Sequence, residues 1–332
     1  MKCAPLSHKA DDTGLNPPGT PRSTDYRQDI MVANKINFIT QAHEGESHVV
    51  ICSASTLEKL YPNSTFYIYD GGLTEETRET LRSFDTTELV DWREESRFSR
   101  LKNVPAEIES KIKNDKYLNH LAREVLSVNL KYVTARRDFF VRQKPRSILD
   151  VTESISENLV WLDADVVLIN RINEVFDLEF DVGATARSRL EEMSSAYGPI
   201  NSGVLFFKTD SETIESFTRE WLQTIERREL APNREQEAVA DLFERSNEQI
   251  FDEYYEIGNL DLSGTSIRTR TFPCDRYNHY NFEYGVHPDQ NQILHFKADK
   301  SEQWRAMIDD IREGDLSQWS RKPVENNPIF TP

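Results

Sequence analysis

Residues 159–170 read LVWLDADVVLIN, a run in which two carboxylates, Asp163 and Asp165, interrupt an otherwise apolar stretch. Continuous apolar runs rich in β-branched and aromatic residues are typical of strands that are buried on both faces. Because side chains two residues apart on a strand point to the same side, both carboxylates are predicted to face together while Ala164 points away. Two like charges in an apolar setting are unfavourable unless a cation neutralises them. The run therefore predicts a divalent-metal site at the end of a strand.

The alternative is an ordinary strand-to-loop exit at which both acids face water. An Asp-x-Asp pattern is expected by chance in most acidic chains of this length, so the pattern alone does not decide between the two interpretations. The decision rests on the motifs that surround it.

Composition restricts the functions open to this chain. It has 332 residues, of which 37% are hydrophobic and 10% aromatic, enough for a substantial core. A net charge of −17, from 40 Lys and Arg against 57 Asp and Glu, argues against nucleic acid or an anionic membrane surface as the main partner. A phosphorylated ligand stays compatible if a metal and a few local cations supply positive charge.

The cysteines and the first residues bear on the compartment. Cys3, Cys52 and Cys274 are widely spaced and form neither a disulfide framework nor a metal-binding cluster. The start, MKCAPLSHKADDTG, has no apolar stretch of the kind found in a secretory signal. No window approaches the roughly 20 apolar residues of a membrane span. We therefore expect a cytoplasmic protein without an integral membrane segment.

Strands and helices alternate from residue 35 onward. INFIT (36–40), TFYIYD (65–70) and TELVDW (87–92) are predicted strands, and the segments between them have helical spacing. Such alternation indicates an α/β fold with a mostly parallel central sheet and crossover helices. One further amphipathic helix is predicted from four apolar residues on one face: Ile214, Phe217, Trp221 and Ile225. The charge-dense segment 91–137 is interpreted as solvated helix faces and loops, and 255–290 as a further loop segment.

The chain has no GxGxxG and no GxxxxGK[ST] sequence, so any nucleotide would bind without a glycine-rich turn. The expected place is the crevice at the carboxyl ends of the strands, where Thr40, Asp70 and Asp163 are predicted to lie.

Four stretches follow one another along the chain, and their order carries a resemblance: LVWLDADVVLIN (159–170), PINSGVLFFK (199–208), REQEA (234–238) and ILHFKADK (293–300). With YDGGL (69–73), they resemble the nucleotide-sugar glycosyltransferases of GT-A fold, and most of all the retaining, glycogenin-like branch that includes bacterial lipopolysaccharide galactosyl- and glucosyltransferases. The resemblance spans residues 35–305. It implies a Rossmann-like central sheet flanked by helices, and transfer of a sugar from a nucleotide-sugar, expected to be a UDP-sugar.

The resemblance implies a metal site. Asp163 and Asp165 match the motif that holds Mn²⁺ against the donor's diphosphate, and His295 matches a late histidine that is the third protein ligand. This ligand set suits Mn²⁺, with Mg²⁺ as the alternative. Lys300 lies where the family keeps a lysine that binds the leaving diphosphate. The sequence departs from the family at Lys297, where glycine is usual, so a reshaped phosphate loop is expected.

Other matches lie where the family contacts the donor sugar. Asn201, Ser202 and Gly203 match an Asn-Ser-Gly stretch in which a small residue lets the backbone approach the sugar. Glu235 and Gln236 match an Asp-Gln pair beside the anomeric carbon, with Glu in place of Asp, and are the expected catalytic residues.

Four more residues complete the predicted donor site. Thr40 and Asp70 are expected to contact the base and ribose, and Lys144 and Arg187 lie where related enzymes place cations that face the donor. A salt bridge is the alternative role for either cation.

The resemblance also suggests how the chain is organised. One domain is predicted over residues 33–320, with a nucleotide-binding half (33–167) and a half for the donor sugar and the acceptor (168–320). Residues 1–32 have the composition of a flexible arm, and residues 321–332 form a tail. The acceptor is expected to be a glycan, a lipid-linked molecule or a protein.

Two rival interpretations are open. A non-catalytic module of the same fold would bind nucleotide, glycan or a protein partner, and the departures at Glu235 and Lys297 favour it. A haloacid-dehalogenase-type phosphatase also has an Asp-x-Asp after an apolar strand, but on its opening strand and with a later Gly-Asp-x-x-x-Asp pair. Here the motif is mid-chain, and Trp319 follows Gly314-Asp315 where the acid would be.

Overall fold

The structure is a computed structural model, and it describes ten parts of the chain: 35–92, 143–187, 198–208, 210–227, 234–262, 264–280, 282, 286–296, 302–317 and 319. The predicted arm (1–32), the tail (321–332) and nearly all of the charge-dense segment 91–137 lie outside the described residues.

The first part of the chain alternates strands and helices as predicted. Its elements are β1 (Ile36–Ala42), α1 (Ser47–Leu60), β2 (Phe66–Asp70), α2 (Glu75–Arg82) and β3 (Thr87–Asp91). Helix α2 begins at a normal N-cap, where the Thr74 hydroxyl accepts a hydrogen bond from the Thr77 amide. The predicted strands and helices of this part are confirmed.

The second part supplies the rest of the sheet. Its elements are α3 (143–152), β4 (Asn158–Leu162), β5 (Val166–Leu168), α4 (Asn173–Phe176), β6 (Val182–Ala186), β7 (Ile200–Phe207), α5 (Ser211–Arg227), α6 (Arg234–Ser246), β8 (Ile257–Leu262), β9 (Thr265–Pro273), α7 (Cys274–Tyr277), β10 (Ile293–His295) and α8 (Glu302–Glu313).

Eight strands form one sheet in the order β3-β2-β1-β4-β7-β6-β9-β8. The pairs from β3 to β4 are parallel, β7 and β8 run against their neighbours, and β6 is parallel to β9. Six strands therefore point the same way. The predicted α/β class with a mostly parallel central sheet is confirmed.

Both faces of the sheet are covered, which explains the continuous apolar runs. In β4, Val160 packs with α1 in one core cluster, while Leu159 and Trp161 pack in a second cluster with α5 and α6. Strand β7 alternates in the same way. The predicted apolar face of α5 lies wholly in the second cluster. Strand residues buried on both sides read as unbroken hydrophobic sequence rather than as alternation.

Two expectations about local structure are wrong. The run 159–170 is not one strand, because β4 ends at Leu162 and β5 begins at Val166, with the two acids in the turn between them. The Val166 amide donates to the Asp163 carbonyl at 3.0 Å and closes this turn. The segment 255–290 is also not loop throughout, since it contains the antiparallel hairpin of β8 and β9 at the edge of the sheet.

The described residues, which begin at residue 35, all belong to one compact unit. The boundary predicted at 167/168 falls inside β5, and β4 and β7 pair directly, so strands from both predicted halves share one sheet. Among the described residues, no helix combines the length and the apolarity that a membrane crossing requires.

Candidate functional site

The sheet topology brings the predicted site residues to one edge. Strands β1, β2, β4, β6 and β9 all end at this edge, and β7, which runs the other way, begins there. Asp163 follows the end of β4, and its amide donates to the carbonyl of Gly203 at 2.8 Å. The Asn-Ser-Gly stretch therefore lies beside the Asp-x-Asp turn because their strands are antiparallel neighbours.

The small sheet of β5 and β10 brings in the histidine. His295 is paired with Val166, directly after the second acid, and the Phe296 amide donates to the Asp165 carbonyl at 2.7 Å. The His295 Nε2 atom lies 3.1 Å from Asp165 Oδ1. One potential ligand atom from each of Asp163, Asp165 and His295 lies within 4.8 Å of the other two. Residues 130 positions apart along the chain thus form one three-ligand group.

Gly203 is required by the histidine. A Cβ atom at this position would lie 2.6 Å from His295 Cε1, 2.8 Å from His295 Nδ1 and 3.3 Å from Asp163 Oδ2. These first two distances are shorter than any normal carbon contact, so only glycine leaves room for the imidazole. The sequence predicts that the small residue serves the approach of a sugar; the structure supplies a different reason, the packing of two potential metal ligands.

Lys144 contacts two acidic side chains of the site, those of Asp163 and Glu235. Its Nζ atom is 2.8 Å from Asp163 Oδ1 and 3.0 Å from Glu235 Oε1, and it donates to the Ser202 carbonyl at 3.1 Å. It also lies 5.3 Å from the ring centre of Trp161, whose indole N–H donates to Asp163 Oδ1 at 2.8 Å. Oδ1 is occupied by two donors, and Oδ2 is the oxygen that lies beside Gly203.

The buried charges next to Lys144 perturb one another. Burial alone would lower the pKa of Lys144, but the carboxylates of Asp163 and Glu235 outweigh it, so its pKa is raised. Burial raises the pKa of Glu235 against the opposing effect of Lys144, and Asp163 adds to the rise. The charged form of Lys144 is therefore favoured, and its ammonium group links the carboxylates of Asp163 and Glu235.

The remaining sugar-side residues lie beside this cluster. Asn201 and Ser202 are each 3% exposed, and the amide nitrogen of Asn201 has no hydrogen-bond partner among the described residues. Glu235 and Gln236 begin α6, whose start is tied to α5 by a 3.0 Å bond from the Trp221 indole to the Glu235 carbonyl. The structure thus places Glu235 on the same lysine as Asp163. The sugar contacts expected of these residues stay predictions.

Two of the other predicted donor contacts have structural partners. The Asp70 carboxylate accepts from the amides of Gly72 and Leu73 at 2.8 Å each and from Arg78 Nε at 2.6 Å. Arg187 donates to the carbonyls of Gly198 and Ile200. Both side chains therefore have structural partners at the carboxyl ends of their strands, β2 and β6.

Thr40, in β1, is 1% exposed, and its hydroxyl has no hydrogen-bond partner among the described residues. Lys297 and Lys300 lie outside the described residues, so the predicted phosphate loop is not placed.

Loss of Arg78 is expected to destabilise the protein. Arg78→Met would remove the guanidinium that contacts the Asp70 carboxylate, which is 3% exposed, and breaking a buried ion pair from one side costs about 3–5 kcal/mol. Urea unfolding of the purified protein measures this loss. The control is Arg82→Met on the same helix, whose exposed pairing with Glu75 is worth less than about 1 kcal/mol. Equal losses in the two variants would contradict the structural role of Asp70.

One site residue escapes the sequence reasoning altogether. Asn278, directly after α7, is fully buried, and its Oδ1 atom lies 2.8 Å from His295 Nδ1. No motif in the sequence marks it. The only available signal is an asparagine at a helix C-cap ahead of the histidine strand, which is common elsewhere.

The chain was compared with known proteins. No protein-family model and no curated protein sequence matches it. Among solved structures, the galactosyltransferase LgtC, in complex with donor and acceptor sugar analogues, is 12% identical, with 87% of this chain and 98% of that one covered and a TM-score of 0.45. The glycosyltransferase GlyE of Streptococcus pneumoniae TIGR4 is 11% identical, with 86% and 62% covered and a TM-score of 0.46. The bifunctional glycosyltransferase WbbM is 10% identical, with 91% and 51% covered and a TM-score of 0.45.

Proposed function

We propose that this protein is a metal-dependent glycosyltransferase that moves a sugar from a nucleotide-sugar, a UDP-sugar by preference, to an acceptor hydroxyl with retention of configuration. The observation that carries the proposal is the group of Asp163, Asp165 and His295 at the carboxyl edge of the sheet. Ligands are expected in the crevice at this edge of an α/β sheet.

The three side chains fit a divalent cation. Two carboxylates and one imidazole match Mn²⁺ better than Mg²⁺, which prefers oxygen ligands throughout. Carboxylates of both acids are half-buried, so solvent and a diphosphate can reach them. When bound, the cation would act as a Lewis acid that neutralises charge on the departing diphosphate.

The chain's own residues have separate tasks in this proposal. Trp161 and Lys144 fix one oxygen of Asp163 and leave the other directed to the ligand group. Glu235 is paired with Lys144, which suits electrostatic support of an oxocarbenium-like sugar better than a lasting covalent bond. Gln236, next on the same helix start, would contact the sugar. Asn201 offers an amide donor that has no partner within the described part of the chain.

A binding panel tests the proposal. Thermal unfolding is measured with UDP-, GDP- and ADP-sugars, each with Mn²⁺, with Mg²⁺ and with EDTA. A ligand present at 100 times its Kd stabilises the native state by about 2.7 kcal/mol, so a clear rise in Tm is expected for a UDP-sugar with Mn²⁺ and none with EDTA. Release of UDP from that donor, by hydrolysis or transfer, is expected under the same conditions.

The outcomes separate the rival functions. Tight UDP binding without turnover of any donor would identify a non-catalytic module. Absence of any metal-dependent shift with every nucleotide-sugar would contradict the proposal as a whole.

A further inference from the structure

The side chain of Asn278, which contacts His295, is held by hydrogen bonds at both its amide nitrogen and its amide oxygen. The amide nitrogen of Asn278 donates to Thr185 Oγ1 at 2.7 Å and to the Asn201 carbonyl at 3.1 Å. Its amide oxygen faces His295 Nδ1 at 2.8 Å. Asn278 and Thr185 are 0% exposed and His295 is 5% exposed, so water does not compete for these bonds. Every polar atom of the Asn278 amide is therefore used.

The partners determine which way the amide points. The Asn201 carbonyl can only accept, so the atom that faces it is the amide nitrogen. The Thr185 hydroxyl donates its single hydrogen to the same carbonyl at 2.6 Å and can therefore only accept from Asn278. The amide oxygen is then the atom that faces the imidazole, and because it can only accept, His295 Nδ1 has to carry a hydrogen.

The backbone fixes this arrangement. The amide of His279, next to Asn278, donates to the Ile293 carbonyl at 2.9 Å, and the amide of His295 donates to the His279 carbonyl at 2.8 Å. These two bonds attach the backbone next to Asn278 to β10, the strand that carries His295. Thr185 sits at a register shift in the pairing of β6 and β7, between Ala184 and Thr185. Such bulges redirect a side chain next to active sites.

We propose that Asn278, oriented by Thr185, is a positioning residue that keeps a hydrogen on His295 Nδ1, so that Nε2 is the nitrogen left to bind the metal beside Asp165. This inference rests on the proposed function, because it gives Nε2 the task of binding the metal. A second hydrogen-bond partner that orients a metal-binding histidine is a general feature of metal sites, and its loss typically costs about 10–100-fold in metal affinity.

The test measures Mn²⁺ affinity without any donor, by the EPR signal of free Mn²⁺. It also measures whether His295 Nδ1 carries a hydrogen, by ¹⁵N NMR of the metal-free protein at pH 8. Asn278→Leu removes the acceptor and is expected to raise the Kd for Mn²⁺ about 10–100-fold and to remove the hydrogen from His295 Nδ1. Asn278→Asp keeps an acceptor against Nδ1 and is expected to restore most of the affinity and the Nδ1–H tautomer.

Two further variants make the result decisive. The control is Asn291→Leu, which removes an equally buried asparagine whose side chain bonds Asp275 and His287; Mn²⁺ affinity and tautomer should stay at wild-type values. Thr185→Val removes the hydroxyl that orients Asn278, and a loss of about tenfold in Mn²⁺ affinity is expected. If Asn278→Leu does not fold, Asn278→Ala, which also removes the acceptor, takes its place in the same two measurements.

Negative results would contradict different claims: the positioning role of Asn278, the orienting role of Thr185 and the metal site. Wild-type Mn²⁺ affinity and an Nδ1–H imidazole in Asn278→Leu or, should that variant not fold, in Asn278→Ala would overturn the positioning role of Asn278. Wild-type values in Thr185→Val would overturn the orienting role of Thr185. A wild-type protein that binds no Mn²⁺ but shows the Nδ1–H tautomer, lost in Asn278→Leu, would contradict the metal site and leave the tautomer assignment standing.

Discussion

Asp165→Asn and His295→Ala are each expected to abolish Mn²⁺-dependent turnover of the UDP-sugar. Each removes one of three potential ligands, and a metal acting as Lewis acid supplies several kcal/mol of transition-state stabilisation. Since each 1.36 kcal/mol is a factor of ten, the expected loss is about 10³-fold or more in kcat/KM. Turnover with and without added Mn²⁺ measures it.

The fold should survive both changes. Asp165 accepts the Phe296 amide through its backbone carbonyl, and His295 pairs in β10 through its backbone, so neither substitution removes these bonds. The Tm of metal-free Asp165→Asn should stay within about 4 °C of wild type. His287→Ala is the matched control, because His287 is also buried in the last part of the chain but is not a member of the ligand group. Unchanged turnover in both site variants would remove the metal from the mechanism.

The fold was predictable because burial leaves a direct mark on the sequence. β4 and β7 lie in the middle of the sheet, and their near-continuous apolar runs follow from contact with both core clusters. The hairpin of β8 and β9 was not predicted. Its residues alternate between buried and exposed, and its exposed positions carry polar side chains such as Asn259 and Arg268. At the edge of a sheet, such a pattern resembles a polar loop.

The site was predictable where it depends on residue types and not where it depends on packing. That Asp163, Asp165 and His295 lie together was predictable, because acids beside apolar sequence and a late histidine follow a family pattern. The turn that carries Asp163 and Asp165 was missed, because a strand that leaves one sheet for another keeps the same apolar composition on both sides. Asn278 and Thr185 carry no signal, since their importance arises only from contacts between distant strands.

Gly203→Ala is expected to disable the site while leaving most of the fold in place. The new methyl group would lie 2.6 Å from His295 Cε1 and 3.3 Å from Asp163 Oδ2. The imidazole cannot turn aside without losing its contacts with Asn278 and Asp165, at 2.8 and 3.1 Å, so the clash has to displace a ligand. A displacement of about 1 Å in a catalytic site can cost about 100-fold in rate, and we expect a loss of that size in donor turnover.

The comparison that isolates this effect is Gly183→Ala. A Cβ atom there would also meet a ring atom at 2.6 Å, Phe272 Cε2, but in the hydrophobic core. Both variants are expected to lower the free energy of unfolding, because overpacking costs about 1–3 kcal/mol. Only Gly203→Ala should also weaken Mn²⁺ binding by the folded protein, by about 10–100-fold, whereas Gly183→Ala should stay within about twofold of wild type. Equal Mn²⁺ affinities in the two variants would show that the glycine serves packing alone, and that the ligand group does not depend on its shape.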